Sequence, residues 1–134
     1  MSCWRKITAD VLKDVDKYNL KRALNELGYG LDDKLHNVDS YESVDEEESR
    51  VDAVITANDK PLSLGIRYNI DKKGHMGIVG DFWNTGIDHE TFVDDIAQQY
   101  TRFTLEERLQ KMGYSIKSVK MNEKQQLEMI AYCA

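Results

Sequence analysis

The sequence predicts an α+β domain: an antiparallel sheet of five to seven strands with two main helices on one face. Short runs alternate apolar and polar residues with the period of a β-strand, and two longer segments carry apolar stripes at helical spacing. Each strand is separated from the next by a hairpin turn or by a single helix, which favours antiparallel pairing. A length of 134 residues fits one domain, residues 1–134.

The first quarter of the chain predicts a strand followed by a helix. Apolar and polar residues alternate over about residues 3–12, as in a half-exposed strand. Asp14 or Asp16 can then cap a helix that runs to Leu27. Gly28 follows at the position where a helix C-terminus favours a residue with positive φ.

The middle of the chain predicts several strands. Four runs show apolar character or alternation: residues 31–38, 51–55, 62–68 and 76–82. Pro61 is predicted to lie in the turn between two of these strands, and Asp71-Lys72-Lys73-Gly74 is typical of a hairpin turn. The spacing of Gly74, Gly77 and Gly80 resembles a phosphate-binding loop, but no helix follows directly, so close backbone packing or bulging is expected.

The last third predicts a long helical region and a final hairpin. Asp88 caps the helix, Gly113 ends it, and residues 122–124 form the turn of the hairpin. The stretch around Thr104 indicates either a bend or a second, abutting helix that Thr104 caps.

Residues 20–31 and 105–116 resemble each other closely. Both read leucine, three residues, leucine, two residues, leucine or methionine, then Gly-Tyr and the start of a strand. Either such junctions have converged, or the chain contains a duplicated strand–helix–strand–strand unit with pseudo-repeats 1–70 and 84–134. Under duplication, Leu24 and Leu109 are equivalent core positions. The sheet face opposite the helices is then expected to be open for a partner or ligand.

The composition argues against several functions. With 18 basic and 24 acidic residues the formal net charge is −6, which makes nucleic-acid binding or an anionic membrane surface unfavourable. No apolar run approaches the roughly 20 residues needed to span a bilayer. The two cysteines do not form a disulfide framework, so the cytoplasm is the expected compartment.

The acidic residues are concentrated in one stretch, an acidic loop at about residues 39–50. Between Asp32 and Asp59 ten acidic residues face only two basic ones. The centre of this stretch, Glu46, Glu47 and Glu48, is too self-repelling to be buried. It is either a solvated loop, a docking surface for a basic partner or a nucleic-acid mimic, or, least consistently with its spacing, a cation site.

No catalytic constellation is present. The three histidines are far apart, the serines lack a nucleophile elbow, and no spacing suits a metal. We therefore expect no catalytic residue, cofactor or metal, and whether the chain is an enzyme stays open, with a non-enzyme favoured. The segment Asp81-Phe82-Trp83 is either a core anchor or a binding hot spot, since buried Trp and Phe often supply affinity.

Several short motifs together resemble one family. They are Ser2-Cys3-Trp4, Leu27-Gly28, Gly80-Asp81-Phe82-Trp83, Gln98-Gln99-Tyr100 and the Gly113-aromatic ending. The chain resembles the domain-of-unknown-function family typified by the hypothetical reading frame thirty-five of plastid genomes, with cyanobacterial, bacterial and phage relatives. The resemblance implies no activity, cofactor or catalytic residue. It points to an accessory role beside an AAA-type ATPase.

Two classes of function follow. The first is a non-enzymatic interaction or accessory module, which could be phage-encoded or ATPase-associated, docking another protein through the open sheet face or the acidic loop. The second is a small-ligand-binding or enzyme accessory domain with a pocket near Asp81, Phe82 and Trp83, lined also by Tyr68. The oligomeric state is left open.

Overall fold

Alternating strands and helices build the chain, as its sequence periodicity predicts. The computed structural model describes residues 4–38, 46–83, 85–121 and 127–133, with only the backbone described from residue 117 onward. Its elements are β1 (Trp4–Lys13), α1 (Lys17–Glu26), β2 (Gly30–Asp32), α2 (Glu46–Ser49), β3 (Ala53–Ala57), β4 (Lys60–Arg67), β5 (His75–Asp81), α3 (His89–Lys111), β6 (Tyr114–Met121) and β7 (Leu127–Cys133).

Five of these strands form one antiparallel sheet in the order β1-β5-β4-β3-β2. The predicted α+β class is confirmed. The predicted final hairpin is also present, because β6 pairs antiparallel with β7, and its turn, residues 122–126, lies outside the described residues. This hairpin forms a separate two-stranded sheet instead of extending the main one.

One face of the sheet carries both main helices. Side chains that point the same way from neighbouring strands, such as Ile55, Ile66 and Ile78, meet Leu24 of α1 and Ile96 of α3 in the main hydrophobic core. These five side chains are fully buried. Because successive side chains of a strand point to opposite faces of the sheet, the apolar side chains of each strand face the helices.

Both helices begin at the predicted caps. The Asp16 carboxylate accepts a hydrogen bond from the Asn19 amide at 2.9 Å, and Asp88 caps α3 by accepting from the Thr91 amide at 3.0 Å. The prediction of a second helix starting at Thr104 is wrong, because α3 is one continuous helix. The Thr101 hydroxyl donates to the Ala97 carbonyl inside the helix, so threonines here do not cap a new one.

The second face of the sheet is partly covered, contrary to the expectation of an open face. Val38 and Val51, from the segment between β2 and β3, pack there with Val54 and Val79. A Cβ placed on Gly65 would lie 2.6 Å from the Val51 side chain, so the missing side chain makes room for Val51. The Ile70 side chain fills the space beside Gly77 in the same way, which confirms close packing at this glycine.

The turn between β3 and β4 is tighter than predicted. Asn58 and Asp59 alone form it, both with positive φ, as in a two-residue hairpin. Pro61 consequently lies in β4, opposite Thr56, and not in the turn. It is tolerated because it is exposed and precedes the part of β4 that pairs with β5, which begins at Leu64.

The two similar segments share their backbone but not their burial. Each helix ends in the same way, with Gly28 and Gly113 both at a φ of +90°. Leu24 is fully buried, however, whereas Leu109 is only half-buried. The two leucines are therefore not equivalent core positions, because the buried core extends along α3 only as far as Phe103.

This difference predicts unequal mutational costs. Leu24→Ala should lower the free energy of unfolding by about 2–5 kcal/mol, because it leaves a cavity in a fully packed core. Leu109→Ala should cost clearly less, since its side chain is partly in water. Urea unfolding of both variants and the wild type measures this, and equal losses would show that Leu109 is packed as deeply as Leu24.

Candidate functional site

A groove runs between β1 and α3 along one edge of the main sheet. We call it the β1–α3 groove and define it by residues 6–11 of β1 and by α3 side chains one helical turn apart: Glu90, Asp94, Ala97, Thr101, Leu105 and Arg108. Three adjoining cavities of about 450, 380 and 370 Å³ follow one another along it. All three cavities are open to solvent, so together they form a groove along the surface and not an enclosed pocket.

Small side chains on α3 create the groove. The core face of the helix carries large residues, Ile96, Tyr100 and Phe103, which are buried under the sheet. The neighbouring stripe carries Ala97 and Thr101, one turn apart, and these leave space beside β1. The groove is thus a consequence of side-chain size on two adjacent stripes of one helix.

β1 forms an edge strand of the main sheet. On its inner side it pairs with β5, and within the described residues no strand pairs with its outer side. The pairing is regular from Trp4 to Thr8, opposite Asp81 to Gly77. An unpaired edge presents free backbone donors and acceptors that can bind an added strand.

The second half of β1 bulges. Thr8 pairs with Gly77 and Lys13 with His75, so four residues of β1 face only Met76. The bulge leaves Val11 54% exposed at the wall of the groove, while Leu12 remains fully buried. A bulge ends regular pairing, so strand addition is limited to the first half of β1, and the second half forms a side-chain pocket.

The centre of the groove is negatively charged. Asp10 of β1 and Asp94 of α3 both line the middle cavity, and both are exposed. Neither carboxylate has a hydrogen bond or ion pair among the described residues. Two carboxylates without partners beside apolar Ala9 and Ala97 favour a ligand that is both apolar and basic.

The predicted acidic docking residues lie next to this groove. Glu48 in α2 forms an ion pair with Lys6 of β1, with 2.9 Å between Nζ and Oε2. The Arg67 guanidinium donates to the carbonyls of Glu47 and Glu48 at 3.1 and 2.7 Å, which holds the end of α2 against the sheet. Glu46 and Glu47 are exposed. The first part of the acidic loop, residues 39–45, lies outside the described residues.

The segment Asp81-Phe82-Trp83 lies at the start of the groove, because Asp81 pairs with Trp4. Asp81 is fully buried and accepts a hydrogen bond from the Trp83 amide at 3.0 Å. Phe82 is a core residue, 6.3 Å from the Phe92 ring centroid. Trp83 is 37% exposed. The structure therefore places the aromatic pair in two different environments, and Asn84 lies outside the described residues.

Tyr68 lies far from this segment. Leu64 pairs with Gly80, so Tyr68 and Trp83 extend in opposite directions from that pair and lie about 20 Å apart along the strands. The Lys17 ammonium lies 4.6 Å from the Tyr68 ring centroid. Burial raises the pKa of the Tyr68 hydroxyl, and the nearby Asp52 and Asp33 carboxylates add to this effect.

Sequence reasoning did not find the groove. Leu105, the first residue of the second similar segment, is 36% exposed and lines one end of the groove. The available signal was the run of Ala97, Thr101 and Leu105 at intervals of four residues, which is a second stripe beside the core stripe. Among the described residues no cluster of three or more acidic, histidine or cysteine side chains could hold a metal ion.

Comparison with known proteins identifies the family. The family model described as "Protein of unknown function (DUF1257)" matches residues 23–130. The match covers most of the chain, so the chain belongs to this family, which confirms the resemblance to a domain-of-unknown-function family. No curated protein and no solved structure matches the chain. No helix in the described part of the chain is long and apolar enough to cross a membrane.

The environment of Tyr68 leads to a titration prediction. Asp52→Asn keeps an acceptor for the Tyr68 amide but removes one negative charge, so the pKa of Tyr68 should fall. It should remain above its ordinary value of 10.0, because burial is the larger cause. Ultraviolet titration of the phenolate, with Tyr68→Phe to identify its signal, measures this. An unchanged pKa would show that Asp52 does not act on Tyr68.

Proposed function

We propose that this DUF1257 protein is a non-enzymatic protein-interaction module that binds an extended, basic segment of another protein in the β1–α3 groove. The observation that carries the proposal is the outer edge of β1, which no described strand pairs with, beside an apolar cavity whose two carboxylates have no partner among the described residues. An added strand would pair its backbone with Trp4–Thr8.

Backbone pairing supplies affinity, and the cavities supply selectivity. Alternate side chains of an added strand point to the helix side of the sheet, so every second one would meet α3. Ala9 and Ala97 leave space there for an apolar side chain. The carboxylates of Asp10 and Asp94 would then interact with a neighbouring lysine or arginine.

The residues predicted from the sequence have separate roles in this proposal. Glu48 pairs with Lys6 of β1, and Glu46 and Glu47 precede Glu48 in the same short helix, so this acidic cluster would raise the association rate of a basic segment. Trp83 lies at the start of the groove, where an exposed indole would anchor the end of the bound segment. Asp81 accepts a hydrogen bond from the Trp83 amide, and because Asp81 and Phe82 are both buried, neither would contact the partner.

The biological setting is part of the same proposal. The family resemblance implies an accessory role, which makes an AAA-type ATPase one partner to test, and a phage-encoded modulator of a host protein would use the same mode of binding. The acidic composition and the low number of cysteines, two in all, fit a cytoplasmic module. A small-ligand pocket at Asp81, Phe82 and Trp83 is less well supported, because Phe82 fills the core and Tyr68 is about 20 Å away.

A displayed library of random peptides of about ten residues, long enough to run along β1, tests the proposal. Selection should enrich extended sequences in which apolar and basic residues alternate. Thr101→Arg places a long cation in the groove and should weaken binding of the enriched peptide about tenfold or more, which corresponds to roughly 1.4 kcal/mol. Calorimetry with the purified peptide measures this loss.

Gln110→Arg is the matched control, because it adds the same side chain to an exposed position of α3 outside the groove. It should leave peptide affinity unchanged. Equal losses in both variants, or none in Thr101→Arg, would place the binding surface elsewhere.

The acidic cluster predicts a kinetic effect. Neutralising Glu46, Glu47 and Glu48 to Gln should slow association of the enriched peptide and flatten its salt dependence, with dissociation little changed. Exposed charges act over about 8 Å at physiological salt, so they steer the encounter more than they hold the complex. Surface-plasmon kinetics at low and high salt measure both rates. An unchanged association rate would show that these three residues form a solvated segment with no part in binding.

A further inference from the structure

Arg108 is a cation without a described partner at the far end of the β1–α3 groove. It lines the end cavity, of about 370 Å³, together with Val11 and Leu105. Among the described residues its guanidinium has no hydrogen bond and no ion pair. A guanidinium carries five donors in a planar fork, so this end of the groove offers a charge and hydrogen bonds that no described residue uses.

The other cations in the second half of α3 are balanced within the helix. Arg102 pairs with Glu106 at 3.2 Å. Lys111 pairs with Glu107 at 3.0 Å, and in both pairs the partners lie one helical turn apart. No acidic residue lies three or four positions from Arg108 in either direction. Arg108 therefore cannot form the same kind of pair, and an acceptor for its guanidinium has to come from outside its own helix.

Two apolar side chains beside Arg108 are left in contact with water. Val11 is 54% exposed because β1 bulges there, and Leu105 is 36% exposed. A ligand side chain that covers them removes apolar surface from water. It also excludes water from the guanidinium, which strengthens the attraction of that group for an anion. A carboxylate is the matching group on a protein, because it accepts two parallel hydrogen bonds from a guanidinium.

The charge of the groove changes sign along its length. Asp10 and Asp94 make the middle cavity negative, and Arg108 makes the end cavity positive. At about 1.5 Å per residue, the Cα atoms of Asp94 and Arg108 lie about 21 Å apart along α3. An extended strand covers that distance in about six residues, and fewer suffice where the long arginine side chain bends back toward the middle cavity.

The main sheet favours one direction for an added strand. Glu90 lies in the cavity formed with Lys6. Arg108 lies in the cavity formed with Val11, so α3 and β1 run in the same direction. Every pairing of the main sheet is antiparallel, and antiparallel pairing is slightly more stable per residue than parallel pairing. A strand added antiparallel to β1 begins at the Arg108 end and runs toward Trp4.

We propose that the groove binds a segment with charges of both signs, in which an acidic side chain binds Arg108 and a later basic side chain meets Asp10 and Asp94. The segment then continues antiparallel to β1 along Trp4–Thr8. This inference rests on the proposed function of the groove and specifies the partner by its charge pattern. Arg108 thereby determines the register and direction of the segment, because a segment that slips or binds in reverse brings like charges together.

The displayed peptide library, selected in parallel against the wild-type chain and against Arg108→Glu, tests this inference. The wild-type chain should enrich peptides in which an acidic residue precedes a lysine or arginine by about four to six positions. Arg108→Glu should enrich a basic residue at the position of the acidic one and leave the second preference unchanged. Enriched wild-type peptides that lack the acidic residue, or that carry it only after the basic one, would overturn the inference.

An exchange of charges measures the contact directly. Calorimetry compares the enriched peptide with a copy whose acidic residue is replaced by lysine, each against the wild-type chain and Arg108→Glu. Either change alone should weaken binding about fivefold, because it brings two like charges together, and the two changes combined should restore most of the affinity. If the combined change does not restore affinity, the inference is wrong.

Lys111→Glu is the matched control. Lys111 lies in the same last turn of α3, but its side chain is 75% exposed and lies outside the groove. Both reversals place a negative charge at the C-terminus of the helix, so both should slightly lower the free energy of unfolding in urea. Only Arg108→Glu should change peptide affinity. Equal losses of affinity would show that the charge acts through the helix or at long range, and would overturn the inference.

The proposed function fails separately. If Thr101→Arg weakens binding but the exchange of charges shows no coupling, the groove binds its partner and Arg108 has no part in recognition. If Thr101→Arg leaves peptide affinity unchanged, or if the library enriches no peptide, the groove is not the binding surface and both proposals are wrong.

Discussion

Apolar cover on both faces of the five-stranded sheet is the constraint on which the rest of this structure depends. One face is covered by α1 and α3, and the other is partly covered by apolar side chains such as Val51 and Ile70, which fit where Gly65 and Gly77 have no side chain. Because this cover occupies part of the second face, the edge of the sheet is the feature that offers unpaired backbone groups for binding. The position of the groove follows from this constraint.

The outer edge of β1 is blocked to strand pairing in one half and available for it in the other. Bulges are one way in which proteins block unwanted strand addition, and β1 bulges between Thr8 and Lys13. The regular part, Trp4–Thr8, remains available, and Lys6 in its middle carries a charge that Glu48 balances. A short regular segment with a charged residue is accessible to a specific partner but gives little support to long, indiscriminate pairing.

Local features were predictable from the sequence, and features that depend on register were not. The helix caps and the C-terminal glycines follow from residues within four positions of each other: Asp88 was predicted, and Asp16 was one of two candidates, with Asp14, for the first cap. The cover on the second face depends on Val51, which precedes β3, meeting Gly65 of β4, and no local pattern reveals this contact. The distance between Tyr68 and Trp83 likewise requires the register of β4 with β5. The groove needs both the order of the strands and the stripe of small residues on α3.

Selectivity in the proposed mechanism has to come from side chains. Backbone pairing along Trp4–Thr8 is available to any extended segment, so it cannot distinguish one partner from another. The cavity at Ala9 and Ala97, the carboxylates of Asp10 and Asp94, and the side chain of Trp83 are the groups that can supply the difference in affinity. A module built in this way binds weakly to a strand that uses only the edge, and tightly to a segment that uses the pocket as well.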